Sequence, residues 1–294
     1  IVMETEIWPN LFLQAKRRQI PLLMANARLS ERSVRQFQRL PGLVSEVLQS
    51  VSWAGAQSNA DAERLVKCGI DPQHVDMTGN LKFDLVTPAS LEETASALRS
   101  RLGSERPVMV AGSTHEADEN VVIPAFAALL ASLPDALLVL APRYPERFAR
   151  ATQLAKAAGL RTALRSEGEV CSRETQCFVI DSIGELMTYY ALGDVAFVGG
   201  SIGDQGGHNP LEPAALGKPV LVGPNMVNAK EITGQLLQCG AARQVTDQQG
   251  FKETAEIILT DAALRDRMGQ AARALVDKNR GAVDITLKAI EKLL

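Results

Sequence analysis

Four residue types or patterns are scarce in this 294-residue sequence, and each scarcity excludes a class of chemistry. There are four cysteines, Cys68, Cys171, Cys177 and Cys239, with no CxxC or CxxH spacing. Neither a disulfide framework nor a structural zinc site is indicated, and the thiols read as reduced groups of a cytoplasmic protein. The three histidines, His74, His115 and His208, form no HExxH arrangement. No Asp-Xaa-Asp pair is available to hold a divalent cation beside a diphosphate. A metal-dependent reaction is therefore disfavoured, and no resident cofactor is expected. No stretch approaches the roughly 18 apolar residues of a membrane span. The net charge of −3 gives no global attraction to nucleic acid, so any polyanion contact must be local. One local concentration exists: Lys16, Arg17, Arg18, Arg28, Arg32, Arg35 and Arg39, opposed in sequence by Glu31 alone. It suits either a solvated helix face or a surface for a phosphorylated acceptor or an anionic leaflet.

What is present is an ordinary globular balance, 46% hydrophobic and 22% charged, long enough for two domain-sized cores. Short apolar runs alternate with amphipathic stretches from end to end, the pattern of βαβ units around parallel sheets. Expected strands include Ile1–Met3, Leu22–Ala25, Val51–Ala54, Val108–Ala111, Leu137–Ala141, Phe178–Ile180, Val195–Val198 and Val220–Val222. The polar, proline-containing stretch Thr87–Ser90 is the best boundary. The expectation is an α/β protein of two doubly wound parallel-sheet domains: residues 1–86, incomplete, and residues 87–294. The last helix, Val283–Leu294, is free to pack on either. Because Ile1-Val2-Met3 runs straight into Glu4, the chain reads as starting in mid-strand, with an N-terminal segment expected to precede it.

In open parallel sheets ligands bind beyond the carboxyl ends of strands, and four such junctions stand out. In the first, Gly199-Gly200-Ser201 leads to Gly206-Gly207-His208-Asn209-Pro210-Leu211-Glu212. Asn209 reads as a helix N-cap, Pro210 as the first helical residue and Glu212 as a capping-box acid. A glycine-lined helix start suits a phosphate, and Glu212 a ribose diol; a well-capped structural helix suits the same residues. In the second, Ser113-Thr114-His115-Glu116, Ser113 and Glu116 fit a capping box, and the hydroxyls suit phosphate as well. In the third, Pro142-Arg143-Tyr144-Pro145, a guanidinium between two prolines suits an anion, or a pairing with a surface acid such as Glu146. The fourth comprises Glu4 and Glu6 beside Trp8-Pro9, with Lys82 after the Gly79-Asn80 turn; a polyol site and a structural role both remain open.

Taken together, METEIWPN, NARLSERS, TGNLKFD, AGSTHE, APRYPERF, GELM and VGGSIGDQGGHNPLEPAALGKPVLVGP resemble, in order and spacing, the motifs of the 3-deoxy-D-manno-octulosonic acid (Kdo) transferases, across essentially the whole chain. The resemblance implies a GT-B glycosyltransferase of two Rossmann-like domains. It implies an inverting, metal-independent transfer of Kdo from CMP-Kdo to the lipid A precursor of lipopolysaccharide, at the cytoplasmic face of the bacterial inner membrane. By motif matching it implies that CMP is held by Pro142, Arg143, Ile183, Gly184, Glu185, Asn209, Pro210, Leu211 and Glu212, with Ser113, Thr114, Gly207 and His208 nearby. Glu4 and Lys82 would stabilise the transition state. The family's general base lies in an SVGE-type motif that does not occur here, so the base and the membrane anchor are expected outside this chain, which alone is expected to bind nucleotide and to lack turnover. Three positions depart from the family pattern: Tyr144 replaces a usual His, Asn225 a frequent His, and Ala117-Asp118 a usual Gly-Glu, the last reading as a change on a helix surface. The rivals are a UDP-sugar epimerase or hydrolase on the same fold, and a non-catalytic nucleotide-binding protein.

Overall fold

A computed structural model describes residues 1–168 and 171–293. Every strand pairs in parallel. The first sheet holds β1 (Val2–Met3), β2 (Leu23–Ala27), β3 (Trp53–Ala56) and β4 (Val75–Met77) in that order. The second holds β5 (Val108–Thr114), β6 (Leu137–Pro142), β7 (Thr162–Leu164), β8 (Cys177–Val179), β9 (Val195–Val198), β10 (Val220–Val222) and β11 (Ala242–Gln244), in the order β11-β10-β9-β5-β6-β8-β7. The chain divides into two compact units, Ile1–Asp84 with Lys278–Leu294, and Leu85–Asp277. The helix Ala282–Leu293 belongs to the first, its start fixed by the Asp84 carboxylate, which accepts from Gly281 and Val283 N–H at 2.7 Å each. Among the described residues no helix is long and apolar enough to cross a membrane.

The second sheet is covered on both faces, which explains why its strands are continuous apolar runs. Met109 and Ala111 of β5 point into one layer with Val122, Phe126, Phe251 and Ile258 of the helices Glu116–Leu129 and Gln248–Thr260. Val108 and Val110 point into the other, with Ala95, Leu102, Tyr189 and Tyr190 of the helices Leu91–Leu102 and Leu186–Leu192. Winding reverses between β5 and β9: β6 lies on one side of β5 and β9 on the other, which makes the carboxyl ends of these two strands the topological switch point.

Two strand ends carry a bulge centred on a non-glycine residue of left-handed backbone. The β2–β3 register shifts between Met24 and Ala27 around Asn26 (φ 54°), and the β5–β6 register between Gly112 and Thr114 around Ser113 (φ 53°). Such strain re-aims side chains where a sheet meets a ligand site. Three strands the sequence pattern does not suggest, β4, β7 and β11, are three residues each and sit at or next to sheet edges, too short to show periodicity.

Candidate functional site

At the switch point of the second unit the loops after β5, β6 and β9 converge. Ser113 is bulged, so it does not cap the following helix; the N-cap is His115, and Asp118, not Glu116, closes the turn by accepting the His115 N–H at 2.9 Å. Asp118 is fully buried. Its carboxylate also accepts from Gly200 N–H (2.7 Å), Ser201 N–H (3.3 Å) and Ile202 N–H (3.1 Å). The expectation that Ala117-Asp118 is a helix-surface change is therefore wrong: Asp118 ties the loop after β5 to the glycine-rich loop after β9. A carboxylate in that position satisfies four backbone donors that would otherwise be buried unpaired.

The same bonds correct the reading of the glycines. The Gly200, Ser201 and Ile202 N–H groups are taken by Asp118, the Gly207 N–H by Gly200 O (2.7 Å) and the His208 N–H by Gly199 O (3.1 Å). These donors are not free for a phosphate. The glycines are instead required by close approach: a Cβ on Gly199 would lie 2.3 Å from Ser113 O, and one on Gly207 (φ 77°) 2.2 Å from Met226 Sδ. Asn225, one of the departures from the family pattern, braces this loop, donating from Nδ2 to Gly203 O at 2.9 Å.

The helix after His208 is one turn, Leu211–Ala215, with Pro210 at the N-cap. Asn209 is the capping residue expected, its Oδ1 accepting from Leu211 N–H at 3.1 Å, but the helix itself starts one residue later than expected. Glu212 does not close a capping box. It is largely buried, and burial pushes its carboxyl above the usual range, while the Asn209 amide and the Arg143 charge pull it down. Arg143 is exposed at the end of β6, its N–H anchored to Thr114 O at 2.9 Å and its guanidinium 5.8 Å from the centre of the Tyr144 ring. No carboxylate, Glu146 included, forms an ion pair with it among the described residues; the neighbouring Arg147 takes that role with Glu119 (2.6 Å) and Glu116 (3.5 Å). Pro142 and Thr114 are buried at the same strand ends.

The imidazoles of His115 and His208 are nearly parallel and lie end to end, centroids 5.1 Å apart with Nε2 to Nε2 at 2.8 Å, and Tyr144 meets His115 edge-on at 5.5 Å. Burial pushes both imidazoles below the ordinary histidine value, and the Arg143 charge adds to it. Sequence reasoning named His208 but did not pair it with His115; the signal is the shared placement of both after strands flanking the switch point. Ile183 and Gly184 are exposed, beyond the end of β8. Glu185 begins the helix Leu186–Leu192, held by Arg165 at 3.1 Å and by the Ser182 hydroxyl.

In the first unit Glu4, at the end of β1 with φ 52°, lies between two cations, Lys82 and Arg28, each at 3.3 Å. Arg28 is the partner that sequence reasoning left in the basic stretch. Below them Asn26 Oδ1 accepts from Leu81 N–H at 3.0 Å, and Asn80 donates to Gln57 at 3.1 Å, fixing the turn that presents Lys82.

Residues 1–85 match the family described as 3-Deoxy-D-manno-octulosonic-acid transferase (kdotransferase), and residues 92–275 match Glycosyl transferases group 1. The second unit resembles the crystal structure of the C-terminal CMP-Kdo binding domain of WaaA from Acinetobacter baumannii, with TM-score 0.60 and 32% identity over 64% of this chain and 99% of that one. A putative UDP-N-acetylglucosamine 2-epimerase from Listeria monocytogenes, 16% identical with TM-score 0.58 over 99% of this chain and 71% of that one, shares the fold. The 3-deoxy-D-manno-octulosonic acid transferase of Bordetella pertussis is 36% identical over all of this chain and 69% of its own length. That of Haemophilus influenzae is 37% identical over the same shares, and on these grounds the chain belongs to the Kdo transferase family of GT-B glycosyltransferases.

Proposed function

We propose that this protein transfers Kdo from CMP-Kdo to the lipid A precursor in lipopolysaccharide biosynthesis, with inversion and without a metal ion. The observation that carries the reading is Arg143, without a carboxylate partner among the described residues, set at the switch point beside His208, Asn209 and Glu212. The relative's CMP-Kdo binding domain supports the choice of nucleotide. In this reading the acceptor hydroxyl attacks the anomeric carbon, the bond from that carbon to the phosphate oxygen breaks, and CMP leaves with the electron pair. The hydroxyl proton passes to a general base. Arg143 pairs with the phosphate and stabilises the charge it gains. Glu212 and Asn209 accept from and donate to the ribose or base, Pro142, Pro210 and Leu211 set the backbone, and Ile183, Gly184 and Glu185 close the nucleotide's other side. Ser113, Thr114 and Gly207 shape the floor. Glu4 and Lys82 stabilise the oxocarbenium-like transition state, with Arg28 holding Glu4 in place.

The acceptor is lipid-borne, so the protein works at the cytoplasmic face of the inner membrane. The first unit exposes Trp8, Leu11, Leu40 and Leu43 near Lys16, Arg17, Arg18 and Arg39 in sequence, a mixture suited to an anionic bilayer surface. Calorimetric titration with CMP and with UDP, in EDTA, tests the nucleotide site. CMP should bind more tightly than UDP, and Arg143→Ala and Glu212→Ala should each weaken it at least tenfold, about 1.4 kcal/mol. Equal or tighter binding of UDP would favour an epimerase-like site and refute the reading.

A further inference from the structure

We propose that His115 and His208 form a proton-linked oxyanion site, neutral when empty, that takes up one proton when the donor's phosphate or carboxylate docks against Arg143. The inference rests on the Kdo transferase reading and deepens it. At 2.8 Å between the two Nε2 atoms, one ring donates its N–H and the other accepts. The capping box has the His115 ring accept from the Asp118 backbone N–H, which makes His115 the ring that donates across the bridge, and a first added proton costs one of these two hydrogen bonds. A second would place two cations in contact, so the pair changes charge by one unit at most.

The surroundings keep the empty pair neutral. Burial disfavours an imidazolium on both rings. The Arg143 charge opposes it on both rings and Arg147 on His115, while Asp118 pulls back on both and Glu119 on His115. Of these, Asp118 is bonded to four backbone N–H groups, and Glu119 and Glu116 are paired with Arg147. Tyr144 is the edge-on aromatic neighbour. An oxyanion seated on Arg143 cancels the opposing field and gives an imidazolium a partner, so the proton enters with the ligand. Asp118 is the positioning residue: through His115 N–H and Gly200 N–H it fixes the two loops that bring the rings together, and His208 lies directly over Gly200, where a Cβ would meet its ring at 2.9 Å.

The test is titration calorimetry from about pH 6 to about pH 8 in buffers of different ionisation enthalpy. The probes are cytidine 5′-methyl phosphate, a diester with no proton of its own to exchange near neutrality, Kdo, which offers the carboxylate alone, and cytidine, which offers neither anion. Binding of the diester, of Kdo, or of both should draw a proton from buffer, with affinity falling up to about tenfold per pH unit through the window between the free and bound pKa values. The probe that shows the slope identifies the oxyanion; cytidine should show none. His115→Gln and His208→Gln keep a hydrogen-bonding group where Nε2 sits but cannot titrate; each should change the slope and the double substitution should abolish it, with folding checked by circular dichroism. A pH-independent affinity with buffer-independent heat in the unmutated protein would overturn the inference while leaving the nucleotide site intact, as would a slope that survives both substitutions. Failure of CMP and of every anionic probe to bind at any pH would instead overturn the functional reading itself.

Discussion

Asp118→Asn isolates the tie between the loops after β5 and β9. Its two carboxylate oxygens divide the work: Oδ2 accepts from His115 and Gly200 N–H at 2.9 and 2.7 Å, Oδ1 from Ser201 and Ile202 N–H at 3.3 and 3.1 Å. Asparagine has the same shape but one acceptor. With its oxygen on the shorter pair, its NH2 faces the Ser201 and Ile202 donors and leaves both unpaired. Each buried donor so orphaned costs about 1–3 kcal/mol, so the loss should be about 2–6 kcal/mol. With a urea m-value of about 2–3 kcal/mol/M the midpoint should fall by about 0.7–3 M. The two units carry separate reporters: Trp8 and Trp53 lie in the first, and Tyr144, Tyr189 and Tyr190 in the second. The tyrosine absorbance transition should move while tryptophan fluorescence does not. A loss under about 1 kcal/mol, or equal movement of both signals, would refute the account of Asp118 as the loop tie.

Three further outcomes follow from the same geometry. Asp118→Glu alone should overpack a fully buried site by one methylene and cost about 1–3 kcal/mol, whereas Ala117→Gly with Asp118→Glu, the pair usual in the family, should recover part of it, because Ala117 lies against Gly203; additive effects in urea melts would contradict this. Gly207→Ala combines a left-handed backbone with a Cβ at 2.2 Å from Met226 Sδ, so it should destabilise the second unit by about 2–4 kcal/mol by the tyrosine signal, with Met226→Ala relieving part of the contact; a loss under about 1 kcal/mol would show that the loop yields. Glu4→Gln breaks two partly exposed ion pairs and should change the stability read by tryptophan by less than about 1 kcal/mol, so a large loss of Kdo transfer in the whole enzyme would be a chemical effect and not an unfolding one.

The strands at the centre of each sheet were legible because burial on both faces makes them unbroken apolar runs: Val108 to Ala111, Leu137 to Ala141 and Val195 to Val198 admit no other reading once helices flank them. β4, β7 and β11 were not, since three residues at or near an edge carry no period. The final helix was open because its apolar face says only that it packs; its attachment depends on Asp84, roughly 200 positions away, accepting from Gly281 and Val283. The site was legible as motifs and illegible as bonds. Asp118 looked like a surface residue because it opens a helix among Glu116 and Glu119, and three of its four bonds are to residues more than 80 positions on.

That misreading bears on how a glycine-rich loop binds an anion. Glycines before a helix suggest a cradle of free N–H groups, yet here a carboxylate of the protein already occupies that position, filling the donors of Gly200, Ser201 and Ile202. A bound anion placed on the same donors would have to displace Asp118, which is buried and cannot leave without unpairing His115 as well. In the proposed reading the anion is held instead by side chains at the rim: Arg143, which lacks a carboxylate partner among the described residues, and His208, which is bonded to His115. The glycines let the backbone come close enough for the protein's own anion to order it, and ordering that loop is what sets the distance between the two imidazoles.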